Sequence, residues 1–312
     1  MTKPVQKNIN GILLLDKPLN YSSNQALQCV KRLFSAKKAG HTGSLDPLAT
    51  GMLPICFGEA TKFSQFLLES NKCYQVTAQL GVKTTTGDAE GEVIATKPVP
   101  PLTREHIESI LQQFTGLIDQ IPPMFSALKH QGKPLYELAR KGIEVERAAR
   151  QVMIFELQLE GFTHDTLSLH VKCSKGTYVR TLVEDIAEKL GCGAHVIALR
   201  RSLVMPYEQS NMYTLAELEQ IREQSGVDAL TRYLLPAETS VEAYPSVKLS
   251  ASAVFYVRMG QSVMVPQLPE QGLVRLFSED NHFMGIGEVL GDGRVAPRRM
   301  ISQPKKFAKT GT

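Results

Sequence analysis

Tryptophan is absent from the sequence, and cysteine is scarce, with five residues in a chain of 312. The cysteines form no Cys-x-x-Cys pair, and no histidine lies at zinc-finger spacing from them. We therefore expect neither a structural zinc site nor a disulfide framework. The thiols predict a reducing, cytoplasmic compartment in which they mostly pack in the core. The cysteines are Cys29, Cys56, Cys73, Cys173 and Cys192.

Long apolar runs are missing as well. No segment approaches the roughly 18–20 apolar residues that a membrane helix needs, and the first residues hold no apolar run long enough for a signal peptide. No Gly-x-Gly-x-x-Gly follows a predicted strand. These absences argue against a membrane protein and against a doubly wound, dinucleotide-binding fold.

The composition is that of an ordinary globular protein. Hydrophobic residues make up 43% and charged residues 21% of the chain, which is enough apolar material for a sizeable core. The formal net charge is +4, with a pI near 8.7. This mild positive excess permits an acidic partner such as nucleic acid but does not require one, because many metabolic enzymes share it.

Strand and helix patterns are interleaved along the first three quarters of the chain. Alternating apolar and polar residues predict strands, and apolar residues at helical spacing behind capping residues predict helices. The lack of a regular βαβ rhythm favours an α+β fold on an antiparallel or mixed sheet. The predicted strands cover 12–15, 74–80, 155–159 and 167–173, and the last two form a hairpin. Predicted helices begin after Ser22 or Ser23, after Thr103 and at the capping-box pair Thr214 and Glu217. A further predicted helix ends at Gly191.

A change in composition near Pro236 and Pro245 predicts a linker. We expect a large domain over residues 1–240, a small β-rich module over 245–303 and a polar, Lys-rich tail over 304–312. The sequence Gly291-Asp292-Gly293 is typical of a hairpin turn. The β-like pieces of the module cover 254–257, 263–265, 273–277 and 284–289.

One stretch of the large domain, about 124–151, shows no single clean periodicity and is strongly basic. This pattern predicts an excursion from the sheet, which is either an ordinary solvated loop or a segment that contacts an acidic partner. Its lysine, arginine and histidine residues are Lys129, His130, Lys133, Arg140, Lys141, Arg147 and Arg150.

Residues 40–51 read Gly-His-Thr-Gly-Ser-Leu-Asp-Pro-Leu-Ala-Thr-Gly. Their glycines supply backbone freedom, Pro47 restricts Asp46 to an extended conformation, and Asp46 is a lone carboxylate among small and apolar neighbours. A polar loop held by glycines is a usual place for a catalytic group, but Asp-Pro and glycine are also ordinary turn formers. From the residue types alone, nucleophile, base, metal ligand and plain turn residue all stay open for Asp46.

Several specific interpretations of this run fit poorly. It lacks the Gly-Lys-Ser/Thr ending of a phosphate-binding P-loop. A single aspartate without a neighbouring carboxylate is poor for magnesium. His41 together with Asp46 suggests a triad, but no Gly-x-Ser-x-Gly elbow accompanies them.

With Met52-Leu53-Pro54 added, the run closely resembles the signature motif of the TruB family, bacterial synthases that isomerise uridine 55 in the T-loop of tRNA. Further motifs of that family occur in the same order, so the resemblance covers nearly the whole chain. It is weakest at both ends and around 220–250. The matching segments are Leu15-Asp16-Lys17-Pro18, Lys72-Cys73-Tyr74, Ser174-Lys175-Gly176-Thr177-Tyr178-Val179-Arg180, Gly191-Cys192-Gly193-Ala194-His195 and Leu199-Arg200-Arg201.

The resemblance implies an α+β pseudouridine synthase catalytic domain followed by a β-rich, PUA-like RNA-binding domain. The implied reaction flips the uridine out, breaks its C1′–N1 bond, turns the base and forms a C1′–C5 bond. It includes no redox change and no net hydrolysis, so neither a cofactor nor a metal is expected. The implied partner is the T-arm of tRNA, without a membrane or an obligate protein partner, and the implied state is a monomer.

By the same resemblance, Asp46 is the nucleophile, and Arg180 pairs with it and favours its ionised form. Tyr74 and Tyr178 hold the target base, and the Tyr74 hydroxyl serves in the proton transfer at C5. The alternation around Tyr74 equally predicts an ordinary core tyrosine, and a surface ion pair is the plain alternative for Arg180.

The remaining implied roles concern substrate contacts. His41 helps to extrude the nucleotide, Leu199 lines the substrate site, and Lys17 supports the pocket rather than reacting. The segment 124–151 becomes an RNA clamp whose contacts with phosphates position the RNA without reading its sequence. The clamp residues are Lys129, Lys133, Arg140 and Lys141.

The main alternative is an RNA-binding or tRNA-folding protein without essential catalysis, which the basic loop and the PUA-like module would serve equally well. The set of Asp46, Tyr74 and Arg180 favours the enzyme, because binding alone does not require it. A carboxylate-based hydrolase lacks the second carboxylate that most glycosidases use. Whether Asp46 attacks C1′, adds to C6 or removes the C2′ proton stays open.

Overall fold

The computed structural model of the chain describes residues 6–302. The predicted polar tail over 304–312 lies outside these residues, as do 1–5 and 303. Within the described part, no helix is both long and apolar enough to cross a membrane. The cysteines there are free thiols, and four of the five are buried, as expected for packing residues.

Helices and strands alternate along the chain. The α-helices are α1 (Ser23–Leu33), α2 (Ser64–Glu69), α3 (Arg104–Gln113), α4 (Leu135–Ala139), α5 (Val179–Lys189), α6 (Leu215–Ser225) and α7 (Ala251–Arg258), with 3-10 helices at Gly58–Phe63, Val227–Tyr233 and Ala237–Val241. The strands are β1 (Gly11–Lys17), β2 (Ala39–His41), β3 (Ala49–Phe57), β4 (Lys72–Leu80), β5 (Val82–Thr84), β6 (Val93–Thr96), β7 (Gly116–Gln120), β8 (Lys129–His130), β9 (Lys133–Pro134), β10 (Arg150–Phe162), β11 (Thr166–Cys173), β12 (Ala194–Val204), β13 (Ser246–Leu249), β14 (Val263–Met264), β15 (Gly272–Ser278), β16 (Phe283–Val289) and β17 (Arg294–Met300).

An eight-stranded sheet forms the centre of the larger part of the molecule. Its strands follow the order β1-β3-β12-β4-β11-β10-β7, and β2 pairs with β3 at one side. The pairings are antiparallel except for β3 with β12, which run parallel over three residue pairs. The predicted α+β fold on a mixed sheet is confirmed.

One face of this sheet packs against α1, α3 and α5 in the main hydrophobic core. The alternation predicted for β4 is confirmed, because Tyr74, Val76 and Ala78 are buried. The alternation predicted for 155–159 is interrupted, because a β-bulge between Ile154 and Glu156 leaves Phe155 exposed.

The predicted caps are also present. Ser22 and Thr214 begin α1 and α6 with capping boxes, and the Thr103 side chain accepts a hydrogen bond at the start of α3. These local bonds satisfy donors that the first helical turn leaves unpaired. They fix where each helix starts and therefore how it lies on the sheet.

The C-terminal part has its own five-stranded sheet, in the order β13-β15-β16-β17-β14, and its own apolar core. The predicted β-like piece at 254–257 is wrong, because these residues lie within α7, whose start is capped by the Ser250 side chain. A short apolar run does not distinguish a strand from a buried helix. The other three predicted pieces coincide with β14, β15 and β16.

The two sheets are joined by a small shared core. Phe63, Val241 and Ile286 are buried together, and the Phe283 ring lies tilted against the Phe63 ring with 5.4 Å between the centroids. The Lys62 ammonium donates to the carbonyl of Met300 at 2.9 Å. The segment in which composition predicts a linker is therefore partly packed, since it includes the buried Val241.

Candidate active site

The run 40–51 connects β2 to β3 and carries Asp46 at the end of the large sheet. The Ser23 hydroxyl accepts a hydrogen bond from the Leu45 amide at 2.7 Å and thereby ties the loop to α1. At the other end, Gly51 has a φ of +98°, and a Cβ there would lie 2.3 Å from the Arg201 carbonyl oxygen. Only glycine permits this close approach of β3 and β12.

Asp46 pairs with an arginine that is itself buried. Arg180 Nε lies 3.1 Å from Asp46 Oδ2, and Arg180 Nη1 lies 3.4 Å from Asp88 Oδ2. The Arg180 side chain is 6% exposed, Asp88 is 4% exposed and Asp46 is 42% exposed. Arg180 is therefore not a surface ion pair: it holds one inner carboxylate and one that is open to a ligand.

Arg180 also binds two backbone carbonyls. Nη1 donates to the Thr86 oxygen at 2.6 Å, and Nη2 donates to the Phe125 oxygen at 2.8 Å. Because Phe125 lies at the start of the basic segment 124–151, the guanidinium links the Asp46 loop to the base of that segment. Five planar donors let arginine make such a divergent set of contacts.

The electrostatic environment of Asp46 contains opposing effects. Loss of hydration around the partly enclosed carboxylate raises its pKa above the usual value, and Arg180 lowers it. Asp88 raises the Asp46 pKa further, and Lys17 lowers it. A carboxylate in such a balance ionises above the usual range for aspartate and is a good candidate for chemistry.

Tyr74 lies deep in the site, on β4, and interacts electrostatically with Asp46. Burial raises the pKa of its hydroxyl, while the charge of Arg201 and a hydrogen bond from it lower that pKa. Leu199 is opposite Val76 in the register and is also buried. Tyr74 is thus both a core residue and a neighbour of Asp46.

Three family models match the chain in succession. Residues 31–179 match the TruB family pseudouridylate synthase N-terminal domain, 180–242 the tRNA pseudouridylate synthase B C-terminal domain, and 245–301 the pseudouridine synthase II TruB C-terminal domain. Curated proteins named tRNA pseudouridine synthase B are similar over almost their full length. The protein of Coxiella burnetii strain RSA 493 is 56% identical over 96% of this chain and 97% of its own.

The chain belongs to the TruB family. The tRNA pseudouridine synthase B of Pseudomonas syringae pv. syringae is 54% identical over 96% of this chain and 98% of its own length. Two solved structures share the fold at lower identity. A chain of an H/ACA RNP bound to a substrate RNA containing 2′-deoxyuridine has a TM-score of 0.72 at 21% identity, and covers 95% of this chain and 86% of its own. A chain of a Cbf5-Nop10-Gar1 complex has a TM-score of 0.70 at 24% identity, and the match covers 93% of this chain and 84% of its own.

Tyr178 lies immediately before α5, in the segment that matches the TruB motif, and is half-buried beside Asp46. Its amide donates to the Gln120 side-chain oxygen at 2.7 Å, and the Gln120 amide group donates back to its carbonyl at 3.1 Å. This two-way contact fixes the backbone of Tyr178 to the end of β7. Burial raises the pKa of the Tyr178 hydroxyl, so the side chain is neutral near pH 7.

His41 is half-buried on β2, at the beginning of the TruB signature. Burial lowers its pKa, and the charge of Arg201 lowers it further, so the ring is neutral near pH 7. Its Nδ1 is enclosed and has no hydrogen-bond partner among residues 6–302. A neutral ring is suited to a substrate contact and not to holding a phosphate.

Lys17 is fully buried at the end of β1. Its ammonium donates to the carbonyls of Tyr21 at 2.5 Å, Pro18 at 2.9 Å and Pro47 at 3.4 Å. Burial lowers its pKa to about 8. These contacts tie β1 to the residue after Asp46, which is what structural support of the pocket requires.

The basic segment folds into the β8–β9 hairpin and the short helix α4. Its base is fixed by Arg180, and its predicted phosphate-binding side chains are exposed. The Arg140 guanidinium stacks on the Tyr136 ring, 5.6 Å from its centroid. Those side chains are Lys129, Lys133, Arg140 and Lys141, and Arg150 of the same segment is exposed as well.

Two of the cavities in the described part of the chain differ in their relation to the predicted site. One, of about 340 Å³, is next to the signature run and is lined in part by Leu48, Val76 and Leu199. The other, of about 520 Å³, lies in the C-terminal part between α7 and β16 and contains none of the predicted site residues. Of the predicted site residues, only Leu199 lines the first cavity.

Sequence reasoning missed three residues of the site. Asp88 follows a polar, glycine-containing stretch like the one around Asp46, and that similarity is a signal that could have found it. Arg201 lies two residues after Leu199 on β12, so the two side chains lie on the same face of the sheet. A cation on that apolar face is unusual, and this is a signal that could have found Arg201. No pattern in the sequence singles out Gln120.

Proposed function

We propose that this chain isomerises a uridine of tRNA to pseudouridine. The C1′–N1 bond breaks, the base turns, and a C1′–C5 bond forms within one nucleotide. The observation that carries the proposal is the Asp46–Arg180 ion pair, open to a ligand on the Asp46 side and flanked by the Tyr74 hydroxyl. The relatives that share this sequence over nearly their whole length carry the name of that activity.

Asp46 is the nucleophile in this proposal. Its carboxylate must be ionised to react, and the Arg180 charge opposes the loss of hydration that disfavours ionisation. Asp88 on the far side of Arg180 keeps the guanidinium in place for that purpose. The reaction is redox-neutral and releases nothing, so the proposal includes no cofactor and no metal.

The target base binds between Tyr74 and Tyr178, with Leu199 against its edge. Extrusion of a nucleotide costs a few kcal/mol, and contacts with aromatic rings in the pocket offset part of this cost. His41 contacts the nucleotide as it leaves the loop, and Lys17 holds the Asp46 loop through the Pro47 carbonyl. The Tyr74 hydroxyl takes part in the transfer of the C5 proton.

The substrate position is uridine 55 in the T-loop of the T-arm. Specificity for this position comes from the shape and the unstacked bases of the loop, as is usual for sequence-specific RNA recognition. The basic segment 124–151 clamps the RNA through Lys129, Lys133, Arg140 and Lys141. These contacts are with phosphates and therefore weaken as salt is raised.

We assign residues 1–240 to the catalytic domain and 245–303 to a PUA-like RNA-binding domain. The separate sheet and core of the C-terminal part support this division. In this proposal the protein works in the cytoplasm as a monomer without a partner protein. One chain supplies the ion pair, both tyrosines and the basic segment.

The Asp46→Asn variant tests the proposal. The amide keeps the size of the side chain but is not nucleophilic, so tRNA binding should stay nearly intact and pseudouridine formation should cease. The measurement is tritium release from tRNA labelled at C5 of uridine, with binding followed separately by filter retention. Turnover above background in the variant would rule out Asp46 as the nucleophile.

Substrate position is tested with a T-arm minihelix in which uridine 55 is replaced by cytidine. The parent minihelix should release tritium and the substituted one should not, although both should bind. Release from both minihelices would place the target elsewhere. Binding of both without release from either would favour the alternative, an RNA-binding or tRNA-folding protein without essential catalysis.

A further inference from the structure

Arg201 combines a full charge with almost complete burial. Its side chain is on β12, and the residue is 1% exposed. Its Nε donates to the Met52 carbonyl at 2.7 Å, and Nη2 donates to the Gly43 carbonyl at 3.1 Å. Among residues 6–302, no carboxylate forms an ion pair with it. A buried cation without a carboxylate is costly, so stability alone is a poor reason for its presence.

Tyr74 is the residue directly opposite Arg201. The two are register partners across the antiparallel pair of β4 and β12, and such partners carry their side chains on the same face within contact distance. The guanidinium charge acts on the Tyr74 hydroxyl. Arg201 thus places a fixed charge opposite Tyr74 and also binds Gly43 and Met52, on either side of the Asp46 loop.

The proposed reaction makes a demand on Tyr74. Once the C1′–C5 bond has formed, C5 still carries its hydrogen, and N1 is doubly bonded to C6. The Tyr74 phenolate oxygen takes the C5 proton, and the electron pair of the broken C5–H bond becomes the C5–C6 double bond. The electrons of the N1–C6 double bond move to N1, which takes a proton from solvent. The phenol later returns its proton to solvent, so no net proton is lost.

Resting on the proposed function, we infer that Arg201 is a positioning residue for this step. It holds the Tyr74 oxygen at the flipped base and supplies the fixed positive charge that the phenolate needs. Arginine suits this role because it stays charged throughout the working pH range. A lysine would supply charge without the planar set of donors that also binds Gly43 and Met52.

The other groups that face Tyr74 act against its ionisation. Burial raises the pKa of the hydroxyl most, and the Cys173 thiol on β11 and the Asp46 carboxylate raise it further. Arg201 is the neighbour that lowers the pKa, through its charge and through its hydrogen bond. Without Arg201, every remaining effect disfavours the phenolate.

The experiment compares Arg201→Met and Arg201→Lys with the parent protein on T-arm minihelices that carry hydrogen or deuterium at C5 of the target uridine. In Arg201→Met, kcat should fall about 10²- to 10⁴-fold, the usual contribution of a proton-transfer group. KM should change little, and the deuterium isotope effect on kcat should increase because removal of the C5 proton becomes slower. Arg201→Lys should be intermediate.

Arg200→Met is the matched control. Arg200 precedes Arg201 in the chain, points to the other face of the sheet and binds Asp16 through two hydrogen bonds of 2.7 and 2.9 Å. Its loss removes an arginine and an ion pair without touching Tyr74. The isotope effect in this variant should equal that of the parent.

A second measurement separates charge from structure. Replacement of Tyr74 by a more acidic fluorotyrosine should restore part of the activity of Arg201→Lys, because the phenolate then forms without the full help of Arg201. A fall in kcat with the isotope effect unchanged, or no rescue by fluorotyrosine, would overturn the role of Arg201. Failure of the parent protein to form pseudouridine would instead overturn the proposed function.

Discussion

At the scale of the residue, the balance of charge around Asp46 is the feature with the clearest consequences. Its carboxylate has a cation on one side, and a second, buried carboxylate lies behind that cation. The Asp46 pKa is raised by burial, lowered by Arg180 and raised by Asp88. Each neighbour can therefore be removed to shift the ionisation of Asp46 in a known direction.

Replacement of these neighbours should move the acid limb of the activity profile in opposite directions. Arg180→Met removes the charge that lowers the Asp46 pKa, so the carboxylate ionises at higher pH and the acid limb shifts to higher pH. Asp88→Asn removes the charge that raises the Asp46 pKa, so the acid limb shifts to lower pH. The measurement is kcat/KM against pH, which reports ionisations of the free enzyme.

Asp228→Asn is the control for that profile, since Asp228 is exposed and pairs with Lys7 far from the site in sequence. It should leave the acid limb in place. Shifts of Arg180→Met and Asp88→Asn in the same direction would show that another group governs the limb.

Prediction from sequence succeeds unevenly at this scale. The alternation on β4 correctly predicts a buried Tyr74, and the family motifs identify the pair of Asp46 and Arg180 before its geometry is known. Asp88 and Arg201 could not be assigned in the same way, because their importance arises from contacts between segments that are distant in sequence. A pattern in one segment can mark such a residue as unusual, but it does not identify the partner that the residue contacts.

At the scale of the element, the contact of β3 with β12 depends on a single glycine. Gly51→Ala should destabilise the protein by at least ~2 kcal/mol, because a Cβ would meet the Arg201 carbonyl at 2.3 Å and the φ of +98° is strained for alanine. Chemical denaturation monitored by circular dichroism measures the loss. Gly40→Ala is the control within the same run, as a Cβ there has no atom within 4 Å. Equal losses in the two variants would contradict the steric explanation.

The basic segment gives a second prediction at this scale. The double variant Lys129→Ala with Lys133→Ala should lose more affinity for tRNA at low salt than at high salt. The slope of log K against log salt should decrease in size by about 1–2, because each phosphate contact contributes a little under one unit. Fluorescence anisotropy over a salt series measures the slope.

Lys97→Ala with Lys189→Ala is the matched control, because these lysines are exposed and lie outside the segment. Its slope should equal that of the parent. An unchanged slope in the clamp variant would show that the segment does not contact phosphates.

Elements of regular pattern are predictable here, and short ones are not. The capped helices α1, α3 and α6 follow from local hydrogen-bonding residues that act within four positions. The helix α7 was missed because Val254–Val257 is a short apolar run, and only the Ser250 cap distinguishes it from a strand. The bulge in β10 depends on pairing with β11, which a single strand does not encode.

At the scale of the whole molecule, the two sheets share the small core around Phe63. Phe63→Ala should cost ~3–5 kcal/mol and loosen the C-terminal part selectively, because Ile286 and Phe283 lose their contact with the larger part. Limited proteolysis under native conditions should then cut near 242–246 faster than in the parent protein.

Phe34→Ala is the control, since Phe34 is equally buried but packs on Phe57 inside the main core. At matched stability it should not accelerate that cut. Equal acceleration in both variants would mean that the cut reports global unfolding and not release of the C-terminal part.

The pairing of β3 with β12 also constrains when the protein becomes competent during synthesis. The hydrogen bond from Arg201 to the Met52 carbonyl joins residues 149 positions apart, and contacts of such long range form only after the intervening chain is available. A nascent chain that has emerged from the ribosome only as far as α5 contains Asp46, Tyr74 and Arg180 but not the strand against which the Asp46 loop closes. The site therefore cannot form until β12, which ends at Val204, has also emerged.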